Sequence, residues 1–136
     1  MGAWDTEVLN ADINEDFLDE LSSLEGEDLV EGVVDAIMLV AKGNATSDEE
    51  EANGICAATI AAIWAGAPYS ASDAIDTYPF IVDPETDITE SVFESIAEPA
   101  ADILENADTE QDLEVYIEAL NLSLIHISEP TRQAEI

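Results

Sequence analysis

Basic side chains are almost missing from this sequence. Lysine and arginine together number two against 33 acidic residues, and the formal net charge is -31. A surface of that composition cannot neutralise phosphates, which excludes nucleic-acid binding. It also excludes docking on anionic membranes. Cysteine occurs once, at Cys56, so no internal disulfide framework and no cysteine-rich zinc site can form. No apolar run reaches the length of a membrane span. The stretch from Met1 to Asn10 lacks the basic and apolar regions of a secretory signal, so a cytoplasmic location is expected. Two-residue alternation is not sustained anywhere, so no substantial sheet is expected.

What is present is a chain of 136 residues, 47% of them hydrophobic. That length corresponds to one domain, and that apolar content allows a real core. The acids carry physical consequences. Residues 1–121 alone, about 13 kDa, expose on the order of 6,000 Å² when folded, so some thirty charges lie roughly 15 Å apart. Screening acts over about 8 Å at physiological salt and about 3 Å at molar salt. Mutual repulsion therefore matters in dilute buffer and fades in concentrated salt. Abundant Asp and Glu beside almost no Lys or Arg resembles the proteins of salt-accumulating extreme halophiles, whose surfaces hold bulk hydrated cations. The competing reading is an acidic partner-binding protein, such as a nucleic-acid mimic. Scatter of the acids along amphipathic helices, rather than in one block, favours the halophile.

The tail is of another kind. Leu122 to Arg132 reads LSLIHISEPTR, which resembles the in-frame translation of a transposase-type sequencing adapter. On that reading residues 122–136 are adapter-derived, the native domain is 1–121, and the source is environmental shotgun DNA. The single histidine, His126, and the single arginine, Arg132, then carry no mechanism. Without Glu129 and Glu135, 31 acids remain against Lys42 alone, a net charge of -30.

Periodicity places about five helices in one all-α bundle. Met1 to Asn10, with Trp4, Val8 and Leu9, reads as an ordered extended arm. A first helix is predicted over Asp12–Leu24, with Ile13, Phe17, Leu21 and Leu24 inward. A second covers Glu27–Lys42, with Val30, Val33, Val34, Ile37, Met38 and Ala41 as its stripe and Gly43-Asn44 as its stop. A third runs from Ser47, in a capping-box sequence, to Ala65. Its alanines leave most of its circumference non-polar, so it belongs at the centre. A long connection, Gly66 to Pro84, packs on the bundle and holds a short helix at Ser72–Thr77. The fourth long helix starts near Thr89, and Pro99 is expected to kink or divide it. The fifth follows Asp108, with Leu113, Tyr116, Ile117 and Leu120 inward.

The opening Met1-Gly2-Ala3-Trp4, then Asp12, then Asp16-Phe17-Leu18-Asp19-Glu20-Leu21, resembles a small prokaryotic domain-of-unknown-function family. Its members often begin MGAWG and reach a DF–EL helix at this spacing. The alanine-rich third helix and acidic fifth helix fit as well. Asp5 and Glu7 depart from the family's usual glycines, Leu9 from its phenylalanine, and Asn10-Ala11 from its acidic-asparagine step. The resemblance implies a mainly helical single domain inside the cell and no reaction.

The chemistry-bearing residues are few. Without His126, Cys56 and the serines have no histidine base, so nucleophilic catalysis is unsupported and no catalytic residue or cofactor is assigned. Cys56 reads as a core residue. Lys42 suits the last turn of the second helix. Asp83, Glu85, Asp87, Ser91 and Glu94 occupy positions 1, 3, 5, 9 and 12 of a calcium-loop pattern. Ile88 stands where that pattern needs glycine, and an ordinary helix-capping loop explains the same residues. The cluster Asp12, Asn14, Glu15 and Asp16 is explained by capping and the helix dipole. Met1-Gly2 through Thr6 formally fits a myristoylation pattern, but no basic patch accompanies it. Trp4, Trp64 and Tyr69 are candidate partner contacts. The expectation is a non-enzymatic helical domain that binds an unidentified protein. The alternative is a small-ligand or divalent-cation-binding protein that uses clustered carboxylates.

Overall fold

The computed structural model describes residues 8–9, 11–24, 26–65, 72–81, 90–106 and 113–121, with the side chains at 72–74 and 90–91 left aside. Helix α1 spans Glu15–Ser22, α2 Glu27–Ala41, α3 Asp48–Trp64, α4 Ser72–Thr77 and α5 Glu90–Glu105. A further helix, α6, covers 114–121. Two short 3-10 turns, Asp12–Asn14 and Pro79–Ile81, complete the order. No strand occurs among the described residues. The architecture is a single all-α domain, as the periodicity predicts.

Helices α2, α3 and α5 pack against one another, and α3 also meets both 3-10 turns. Along α3 the residues from Cys56 to Ile63 are all buried. Small side chains let neighbours approach this helix from several sides. Gly54 marks the closest approach: a Cβ built there would lie 2.9 Å from Val40 Cβ and 3.2 Å from the Ala36 carbonyl oxygen on α2. The core is completed by Leu18 and Leu21 of α1, Phe80 and Ile81 of the second 3-10 turn, Ile96 and Leu104 of α5, and Tyr116 and Leu120 of α6.

Helix ends follow the local sequence closely. The Ser47 hydroxyl accepts the Glu50 amide at 3.2 Å. Glu50 Oε1 reaches back to the Thr46 amide at 2.7 Å, one residue earlier than a standard capping box. Helix α2 ends with the amides of Gly43 and Asn44 donating to the carbonyls of Val40 and Leu39. Gly43 has φ +74°, the left-handed turn this ending requires.

Four expectations are corrected. Helix α5 runs through Pro99 undivided. The ring removes one amide donor, and the apolar stripe on both sides, with Ile96, Ala97, Ala100 and Leu104 all buried, keeps both halves helical. Ile13 is 42% exposed, because it sits in a 3-10 turn where a 3.6-residue period does not apply, and Leu18 is buried on the inner side of α1. Asn14 gives α1 no side-chain cap. Instead it is buried, and its amide donates to the Val8 carbonyl at 3.0 Å. Val8 and Leu9 are helical and buried rather than extended. The remainder of the arm expected at Met1 to Asn10 lies outside the described residues, as do Asp87 in the expected capping loop and Asp108 before the last helix.

Candidate functional site

A cleft of about 570 Å³ opens where the end of α2, the start of α3 and the end of α5 meet. Its apolar lining comes from Val40 and Ala41 of α2, Ala52 and Ile55 of α3, and Ile103 of α5. Three carboxylates frame it: Asp48 and Glu51 from the first turn of α3, and Asp102 from the last turns of α5. Asn106 closes one end, its side-chain amide folded back onto the Asp102 carbonyl at 2.8 Å. The Gly43 turn and the Ser47 cap bring the first two elements to the cleft. Both are local stops, so the chain reverses within six residues, 42–47, between α2 and α3. Lys42 is exposed and is not part of the lining.

Sequence reasoning does not find this cleft. Its residues lie at 40–55 and 102–106, and each acid taken alone is an ordinary solvated-face residue. The only signal is that Ile103 and Asp102, and Ile55 and Glu51, sit at the boundary of their stripes.

The sequence-derived candidates are placed as follows. Trp64 is half-buried at the end of α3, and its indole N–H donates to the Phe80 carbonyl at 3.2 Å, tying α3 to the second 3-10 turn. Glu94 is exposed on α5. Trp4, Tyr69, Asp83, Glu85 and Asp87 lie outside the described residues. Among the described residues no group of three or more His, Cys, Asp or Glu is arranged to hold a metal ion.

Cys56 is fully buried, and burial alone pushes its thiol far above the usual range, so it stays protonated. Tyr78 donates from its hydroxyl to Asp19 Oδ1 at 2.6 Å. That hydrogen bond, helped by burial and by the charges of Asp19, Glu15 and Asp16, pushes the phenol up to about 12. Glu50 is held below the usual carboxylate range by its hydrogen bonds from the Thr46 amide and then the Thr46 hydroxyl. Each of these shifts has a structural cause, and none faces the cleft. No helix among the described residues is long and apolar enough to cross a membrane.

The chain matches, over residues 2–124, the family described as a domain of unknown function (DUF4259), and it belongs to that family. No curated protein and no solved structure matches it.

Proposed function

We propose that this chain is a non-enzymatic, cytoplasmic protein-interaction or accessory domain adapted to high salt. The observation that carries the interaction is the open cleft at the α2–α3–α5 junction, whose aliphatic lining is framed by Asp48, Glu51 and Asp102. An apolar concavity with a polar rim is the form in which a surface meets a partner. The salt adaptation rests on the 33 acids against two basic residues. Hydrated cations moderate their repulsion in concentrated salt, and dilute buffer leaves it unscreened.

The test uses the full chain. Its Tm is followed from decimolar to molar potassium chloride, and a steady rise is expected. A flat or falling Tm overturns the adaptation. The same chain, in molar salt, is then panned against a phage-displayed library of random dodecapeptides. Enrichment of a related set of sequences is expected, and none overturns the interaction reading. A Tm rise with millimolar calcium in molar potassium chloride would instead support the alternative, a divalent-cation-binding protein, by linkage to the native state.

A further inference from the structure

We infer that the cleft takes a cationic, aliphatic segment of a partner protein: one branched side chain seated between Val40, Ile55 and Ile103, flanked by a lysine or arginine that meets Asp48, Glu51 or Asp102. This rests on the interaction reading above and names the chemistry of its partner.

Three observations select that occupant. The first is shape. Pockets that hold small molecules bury most of the ligand surface. This cleft is open, and its walls come from three helix ends rather than an enclosing cavity. A segment anchored by one side chain and continuing into solvent fits such an opening. The second is the lining. Val40, Ala41, Ala52, Ile55 and Ile103 offer aliphatic surface and no aromatic ring. An aliphatic anchor therefore matches better than a stacked base or a quaternary ammonium group, which wants an aromatic cage.

The third is charge. Two of the lining acids, Asp48 and Glu51, come from α3 and one, Asp102, from α5, and they share the cleft with the aliphatic side chains. Among the described residues the one basic side chain, Lys42, does not line the cleft, and none of them supplies the complementary charge. Molar salt, with a screening length of about 3 Å, weakens long-range attraction most and weakens exposed ion pairs in contact as well. Recognition at such a site therefore leans on apolar burial, with the touching pairs adding selectivity. A hydrated cation satisfies the acids without using the aliphatic lining, and the variants below separate the two.

The experiment sequences the peptides enriched in the panning and measures the best of them by fluorescence anisotropy against the full chain and three variants. Ala52→Arg places a cationic side chain at the half-buried lining position. Asp102→Asn removes one rim charge. Asp35→Asn removes the same charge from an exposed site on α2 that does not line the cleft. Unchanged far-ultraviolet circular dichroism shows that each variant is folded. If a variant is unfolded, the same contacts are read by chemical-shift perturbation of wild-type residues around Ile55 and Ile103.

The expected result is a set of peptides pairing Leu, Ile or Val with Lys or Arg. Ala52→Arg should weaken them at least tenfold, Asp102→Asn several-fold, and Asp35→Asn by less than twofold. Peptides without basic residues, or equal losses in Asp102→Asn and Asp35→Asn, would overturn the assignment of the partner's charge. Binding untouched by Ala52→Arg would overturn the assignment of the cleft while leaving the interaction reading standing. An empty panning would overturn both. Spermidine binding at the cleft with no peptide enrichment would replace the protein segment with a small organic cation.

Discussion

From Asp48 to Glu51 helix α3 carries four carboxylates in succession, whereas from Cys56 to Ile63 every residue is buried. The same helix is thus polar at one end and apolar all round at the other. Its amphipathicity runs along its axis instead of around it. The acids stand at the end where backbone N–H groups are unpaired and the dipole is positive, which is the helix end that favours negative charge. The buried part spends its surface on alanines, so neighbouring helices approach closely. The comparison teaches where this chain tolerates charge: at helix starts and outer faces, and never across the α2–α3–α5 contact.

The largest effect should come from the buried part. Ile60 is fully buried, and Ile60→Ala leaves a cavity in the core. We expect a loss of about 2–5 kcal/mol, measured by chemical denaturation in molar salt. A loss no larger than that of a surface substitution would mean that α3 is not the centre of the fold. Next is Gly54, at the seam between the two parts. Gly54→Ala forces α2 and α3 apart at Val40 and Ala36 and should cost about 1–3 kcal/mol, seen as a lower Tm. Stabilisation instead would show that the helices have room to separate there.

The smallest effect belongs to the acidic end, and it depends on pH. The Glu50 carboxyl binds its proton more weakly in the folded chain than in the unfolded one. Its contribution is present above the ordinary carboxylate range and is lost as pH falls through the depressed folded value. Glu50→Gln should therefore lower Tm near neutral pH, and the gap to the wild type should close on acidification. A gap independent of pH would assign the effect to shape and not to charge.

The fold was largely legible because its strongest signals are local. Ser47 with Glu50, and Gly43 with Asn44, mark the ends of α3 and α2 within about a residue. The alanine content of α3 announces a helix surrounded on several sides. Pro99 misleads because its penalty is local while the packing of α5 on α2 and α3 is not. Asn14 misleads for the opposite reason. Its side chain answers a carbonyl six residues back, at Val8, instead of the helix start beside it. The cleft was barely legible, since its α2–α3 side and its α5 side are brought together only by tertiary contact. Periodicity reports which side of a helix faces inward and is silent on where three helix ends converge.

The burial of Cys56 gives the molecule a clock of its own. With one thiol in the chain, held protonated inside α3, a thiol reagent can react only when the surrounding helices part. When reclosing is fast compared with the chemistry, the labelling rate reports the equilibrium between closed and open forms. When reclosing is slow, it reports the opening rate itself. Followed as salt is diluted, that rate would show whether the 33 acidic side chains loosen the core gradually or release it in a single cooperative event.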